Sequence, residues 1–248
     1  MALKILTRIT RASKWSRRNV FKLLREGKCS VDGTVTFENI TVVPGQKIVC
    51  DGQEIPEIKS PRLFRYHKQR GELVTLRDTH GRTSVFDKIP IPDDVQKLIA
   101  VGRLDFDTEG LLLFSSCGLL SRRLELPKNR FQRVYEARVL GTPNEEKIEE
   151  LRHGAEIDGV QYRSIDITPI FAPSAWIISD DIDNNIHARW LKVIVSEGKK
   201  REVRRALAAA DLEVNRLIRV RYGPFDLAGL EPGEFDETSV DLLEIDAE

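Results

Sequence analysis

The sequence predicts an α+β fold with a largely antiparallel sheet. Three observations lead there. Candidate strands and helices do not alternate strictly, as a doubly wound parallel sheet requires. The connections between early strands are hairpin-type, with Asp32-Gly33, Pro44-Gly45 and Asp51-Gly52 at the turns. No repeat period or low-complexity tract points to a solenoid or a fibre.

Taken in order, Ser16 caps a helix that runs to about Glu26, with Val20, Leu23 and Leu24 on one face. Its other face carries Arg17, Arg18, Lys22 and Arg25, and Gly27 follows at the position where helices stop. A strand at 29–31, the Asp32-Gly33 turn, a strand from Val35 and another at 48–50 complete a helix-plus-hairpin unit, residues 1–58. That length is near the lower limit for a free-standing core. The stretch 55–61, with Pro56 and Pro61, reads as a linker.

Residues 62–234 form the large domain and 235–248 an acidic tail. Strands are predicted at 71–75, 111–114, 135–140, 163–170, 188–195 and 214–222. A helix starts at a Thr142 cap, with Pro143 at its first position and Glu145 closing a capping box; Ile148 and Leu151 line its apolar face and Gly154 stops it. A second helix covers about 202–210.

At 248 residues the chain has room for one large core and a small one. No apolar run approaches membrane-spanning length, and the basic, amphipathic N-terminus has no signal-peptide core. Cys29, Cys50 and Cys117 form no close pair and cannot all be bridged, which suits a reducing cytoplasm. The formal net charge of zero conceals opposed regions: residues 1–31 hold nine Lys/Arg against Glu26, and residues 225–248 hold nine Asp/Glu and no Lys or Arg. A basic head binds a polyanion through local contacts whatever the global charge. Charge alone leaves that reading level with a merely solvated face.

Several chemistries find no support. His67, His80, His153 and His187 share no ligand spacing with one another or with the cysteines, so no metal site is expected. Phosphate-loop, dinucleotide and nucleophile-elbow patterns are missing, and no cofactor is expected.

Three segments remain. Gly102-Arg103-Leu104-Asp105 leads through Asp107, Thr108 and Gly110 into the apolar run 111–114, placing carboxylates at the mouth of a strand that has to be buried. In the strand Arg133-Val134-Tyr135-Glu136-Ala137-Arg138, alternation puts Arg133 and Tyr135 on one face. Glu197-Gly198-Lys199-Lys200-Arg201-Glu202-Val203-Arg204-Arg205 gathers cations where a helix begins, a position that favours anions. Those cations make sense if an anion sits there. Taken singly, Asp105 reads as a turn acid, Asp107 as its equal on the same turn, and Tyr135 as a core residue. Lys200 and Arg204 read as a solvated helix face.

Together, and in this order, the segments resemble the RsuA-like family of ribosomal RNA pseudouridine synthases. Arg216-Leu217-Ile218-Arg219-Val220-Arg221-Tyr222-Gly223 extends the likeness. Residues 1 to about 55 resemble the S4 RNA-binding domain, on Ser16-Arg17-Arg18, Glu26-Gly27 and Val31-Asp32-Gly33; Ser13 stands where that pattern commonly has glycine. The resemblance implies isomerisation of uridine to pseudouridine on a flipped-out base, without metal or cofactor. It implies Asp105 as the nucleophile, Tyr135 stacking on the base and taking part in proton transfer, and Lys199 as the basic active-site residue. Arg103, Arg201 and Arg205 would contact RNA, as would Arg17, Arg18, Lys22 and Arg25. The implied partner is ribosomal RNA, 23S rather than 16S, free or within an assembly intermediate, bound by a monomer in the cytoplasm. The rival is a non-catalytic rRNA-binding or ribosome-assembly factor that uses the S4 face alone.

Overall fold

A computed structural model describes residues 2–171, 173–174 and 189–243. The acidic stretch 172–185, which the sequence leaves unassigned, lies outside these except for residues 173 and 174. The described chain falls into two compact units.

The first unit comprises Met1–Arg62 with Ile91–Ile99 and Ser116–Gly118. Helix α1, Ile5–Ala12, repeats apolar residues at three- and four-residue spacing and buries Ile5, Leu6, Ile9 and Ala12. It was not expected from the sequence. Buried Arg8 on the same helix donates to the Pro56 carbonyl at 2.6 Å and pairs with Glu57 at 3.1 Å. Helix α2, Arg17–Arg25, starts where expected: the Ser16 hydroxyl accepts the Asn19 N–H at 3.1 Å. Gly27, at φ +67°, ends it, with its N–H on the Leu24 carbonyl. Val20, Leu23 and Leu24 are buried while Arg17, Arg18, Lys22 and Arg25 are exposed.

Strands β1 (Cys29–Val31), β2 (Thr34–Thr36), β3 (Ile48–Cys50) and β4 (Gln53–Glu54) form a sheet ordered β2-β1-β3-β4. Its register sets Cys29 directly opposite Cys50, and the two form a disulfide. This corrects the sequence expectation of no close cysteine pair. A spacing of 21 residues hides a neighbour that strand pairing creates. Cys117 remains a buried thiol.

The second unit holds the large sheet: β5 (Leu63–Lys68), β6 (Glu109–Ser115), β7 (Arg133–Leu140), β8 (Asp166–Ile170), β9 (Arg189–Val195), β10 (Glu213–Tyr222) and β11 (Phe235–Thr238). Their order is β8-β9-β7-β10-β6-β5-β11. Only the β10–β6 contact in this order is parallel, so the sheet is largely antiparallel and the fold α+β. Helices α3 (Gly118–Glu125), α4 (Glu145–His153) and α5 (Glu202–Ala209) accompany these strands in the chain. One core cluster unites Ala137 and Val139 of β7, Leu191 and Val193 of β9, Ile148 and Leu151 of α4, and Ala206 and Leu207 of α5.

Several elements differ from the sequence reading. Residues 71–75 form no strand: Gly71 turns at φ +85°, and a single bridge joins Leu73 to Ser84. Helix α4 is capped by Asn144, whose side chain accepts the Lys147 N–H at 3.2 Å, so Thr142 and Pro143 precede the helix. The strand expected over 163–170 begins only at Asp166. Strand β11 lies within the stretch read as an acidic tail. It pairs with β5, and Asp236 accepts from Arg65 Nε at 3.0 Å, so its acids are answered by the neighbouring strand. No helix of the described residues is long and apolar enough to cross a membrane.

Candidate active site

From Gly110 to Ser115, strand β6 is buried throughout, so the turn before it must set its polar groups at the strand's edge. Gly102 takes φ +71°, and its N–H is held by the Glu125 carboxylate at 2.8 Å. The Thr108 N–H closes the turn on the Asp105 carbonyl at 3.1 Å. Past the turn, Arg216 of β10 grips Glu109 with two bonds of 3.0 and 2.9 Å.

Fully buried Lys68, at the end of β5, braces the turn through the carbonyl of Thr108 at 2.7 Å, and also donates to that of Gln69 at 3.0 Å. Burial pulls its pKa down to about 8, against the opposing fields of Glu72, Glu109, Asp107 and Asp105. Glu72, itself buried, accepts the Tyr66 hydroxyl at 3.0 Å on each oxygen and pairs with Lys88 at 2.8 Å. Burial, then the charge of Glu72, pushes the Tyr66 hydroxyl up.

The two acids of the turn meet the start of α5. Arg204, with its side chain only 10% exposed, donates through Nη2 to the Asp107 carbonyl at 2.9 Å and pairs with its carboxylate at 3.2 Å. Arg201, in the left-handed region at φ +52°, lies 3.3 Å from the Asp107 carboxylate and 3.7 Å from that of Asp105. Of the cations that the sequence gathers at this helix start, Arg201 and Arg204 find their anions in the Asp105–Asp107 turn. Burial holds the Arg204 guanidinium below its ordinary pKa, with Asp107 opposing.

Lys199 stands apart from this pair. Its ammonium bonds Glu197 at 2.9 Å and the Gln161 carbonyl, and lies 5.1 Å over the Tyr162 ring. Burial would raise Glu197, but Lys199 and Arg163 outweigh it and hold the acid below its usual range. Buried Glu202 accepts the Lys199 backbone N–H at 3.2 Å. Burial, then the charge of Glu197, pushes Glu202 up to about 7.

Tyr135 is half-buried on β7 against the core cluster, opposite Val193 on β9 and Arg219 on β10. On the same strand Arg133 donates to the Tyr222 hydroxyl at 2.9 Å and to the Glu197 carbonyl, with its charge 4.8 Å over the Tyr222 ring. The Tyr222 hydroxyl in turn donates to Leu124. Arg219, 2% exposed, donates through Nε to the Leu111 carbonyl at 2.8 Å and lies 5.1 Å over the same ring.

Of the residues singled out in the sequence, the structure brings Asp105 to Arg201 and leaves Lys199 with Glu197. Arg103 is exposed on the turn, and Arg205 is half-buried on α5. Arg17, Arg18, Lys22 and Arg25 share the exposed face of α2 in the first unit. Arg204, read as a solvated helix residue, is instead a brace for Asp107; its value depends on a partner 97 positions away. Lys68 and Glu72 also went unnoticed, and Arg219 was marked only as part of the segment that extends the resemblance, with no role of its own. A lone charge inside a strand pattern gives no sign that it will be buried.

Comparison with known proteins identifies the family. A family model described as RNA pseudouridylate synthase matches residues 62–209. A ribosomal large subunit pseudouridine synthase B of Salmonella typhi is 36% identical over 244 residues, covering 96% of this chain and 79% of that protein. An uncharacterized RNA pseudouridine synthase of Rickettsia felis is 35% identical over 237 residues, covering 95% of this chain and 96% of that one. A crystal structure of a pseudouridylate synthase superposes with a TM-score of 0.63 and 98% coverage of both chains; at 20% identity it speaks to the fold alone. Since the family model spans the strands that present the acidic turn, and relatives above 30% identity align along nearly the whole length, the protein belongs to the RNA pseudouridylate synthase family, as its RsuA-like motifs implied.

Proposed function

We propose that this protein converts a uridine of large-subunit ribosomal RNA to pseudouridine, with Asp105 as the nucleophile. The observation that carries the assignment is the unequal treatment of two neighbouring acids. Asp107 pairs with both Arg204 and Arg201, whereas Asp105, 40% exposed against 33% for Asp107, meets Arg201 alone. A carboxylate that is accessible yet accompanied by a cation is suited to covalent catalysis.

Asp105 attacks the target nucleotide at C1′ of the sugar or C6 of the base. The bond between N1 and C1′ breaks, the uracil turns, and C5 joins C1′ as the bond to Asp105 is released; C5 gives up its proton and N1 takes one up. Atoms balance without a metal, an oxidant or a nucleotide. Tyr135 stacks on the flipped base and takes part in moving the C5 proton. Arg201 accompanies the Asp105 carboxylate, the role the family pattern would give Lys199. Lys199 orders the approach to α5 through Glu197 and Gln161. Exposed Arg103 contacts RNA during base flipping, and Arg205 contributes from α5.

Residues 1–58 are read as an S4 RNA-binding domain whose α2 face, Arg17, Arg18, Lys22 and Arg25, meets phosphates. The names of the relatives support the 23S rather than the 16S substrate. A monomer acting in the cytoplasm on 23S rRNA, free or in an assembly intermediate, completes the reading. Incubating the full chain with 23S and 16S transcripts and mapping pseudouridines by carbodiimide primer extension tests it. A new stop in 23S is expected. RNA binding with no new stop on free or partly assembled 23S would leave only a non-catalytic binding factor.

A further inference from the structure

Arg219 has more bonding capacity than the fold uses. Its Nε holds the Leu111 carbonyl and its plane covers Tyr222, yet Nη2 is buried with no hydrogen-bond partner. No carboxylate pairs with this guanidinium among the described residues. A buried cation without an anion is unfavourable unless something arrives to meet it. The Arg204 Nε is also unpartnered, but that guanidinium is neutralised by Asp107.

The position of Arg219 is informative. Across the antiparallel ladder it faces Tyr135, and across the parallel contact it is paired with Gly110, the second residue of β6, just past the Asp105 turn. Gly110 has to be glycine because a Cβ there would overlap the Arg219 backbone. Arg219 is thus fixed between the turn that bears Asp105 and the strand that bears Tyr135.

We infer that Arg219 Nη2 is the donor that meets a uracil carbonyl oxygen during the isomerisation, an assignment that rests on the function proposed above. Attack at C1′ releases uracil as an anion whose charge spreads to O2 and O4; attack at C6 places charge on O4. Either route charges a carbonyl oxygen midway and discharges it once C5 has bonded to C1′ and lost its proton. A preorganised donor at such an oxygen contributes about 10²- to 10³-fold in rate. Arg201, Arg204 and Lys199 are committed to carboxylates, and Lys68 to backbone carbonyls.

The test uses the full chain and a 23S transcript carrying [5-³H]uridine, read as tritium released to water in a single turnover. Arg219→Met should lower the rate about 10²- to 10³-fold while RNA affinity stays within about threefold, with Arg219→Lys recovering part of the loss. A rate near wild type in folded Arg219→Met would overturn the assignment, because a purely structural arginine changes melting temperature and not the rate of the folded enzyme. A second arm leaves the protein untouched. Wild-type enzyme is given transcripts with 2-thiouridine or 4-thiouridine, whose sulfur accepts hydrogen bonds poorly. One of the two should react about tenfold or more slowly, although thiouracil is the better leaving group. Undiminished rates on both would equally overturn it. A wild-type enzyme that releases no tritium from the free transcript or from a partly assembled 23S particle would instead refute the proposed function.

Discussion

Arg204 holds Asp107 twice, at the backbone carbonyl and at the carboxylate, 2.9 and 3.2 Å from the same nitrogen. Asp105, two residues earlier, has no such brace and meets the more distant Arg201. The sequence presents these acids as equals on one turn. The folded chain makes one an anchor for the turn and leaves the other with Arg201 alone.

Removing the anchor should loosen the turn. Arg204→Met leaves the Asp107 carbonyl and carboxylate without their main partner, at a cost of about 2–4 kcal/mol. For a chain of this size that lowers the melting temperature by about 5–15 °C. Calorimetry on the purified variant checks it; an unchanged midpoint would mean that Arg204 does not brace the turn.

Glu202 predicts a pH dependence. Burial, then Glu197, raises it from 4.5 to about 7, so the folded state holds a proton that the unfolded chain releases earlier. The associated stability is complete below about pH 4.5 and is lost as pH rises through about 7. Glu202→Gln, which keeps an oxygen for the Lys199 N–H, should therefore stabilise the protein by about 1–3 kcal/mol at pH 8 and by little near pH 4.5. Thermal melts at both pH values decide this; a gain independent of pH would contradict it.

Two glycines with positive φ should behave differently. Gly110→Ala places a methyl against the Arg219 backbone at φ +101°, and should cost about 4 kcal/mol or more. Gly52, at φ +76°, has open space around its would-be Cβ, so Gly52→Ala should cost only about 1–2 kcal/mol of backbone strain. Urea titrations of the pair measure the contrast directly. Equal losses would mean that the close approach at Gly110 is not what requires glycine.

The basic face of α2 makes a separate claim about binding. Replacing Arg17, Arg18, Lys22 and Arg25 together by alanine should reduce the slope of log affinity against log salt by about 3, from four phosphate contacts. The rate at saturating RNA should hold. An unchanged slope would remove α2 from the RNA interface.

How much of this was legible in the sequence depends on the range of the forces involved. Helix α2 was readable because its cap, its apolar face and its terminal glycine all lie within a dozen residues. The strand at 111–114 was readable as an apolar run, and those at 135–140 and 214–222 from residues that favour strands. Helix α1 was hidden by the isoleucines and threonines of Ile-Leu-Thr-Arg-Ile-Thr-Arg-Ala, which favour strands, until packing decided the matter. Strand β11 looked like solvated tail because the charge of Asp236 is answered by Arg65, 171 positions away. The site divides in the same way. Asp105 and Tyr135 could be picked out by motif. Lys68, Arg204 and Arg219 acquire their roles only through strands and helices distant in the chain.

The account stands on the distinction between Asp105 and Asp107, and one comparison tests it. Pseudouridines are mapped in 23S rRNA from cells whose only copy of this protein carries Asp105→Asn or Asp107→Asn. The prediction is that Asp105→Asn abolishes one site completely while Asp107→Asn leaves that site at least partly modified. Full modification with Asp105→Asn, or loss confined to Asp107→Asn, would contradict it.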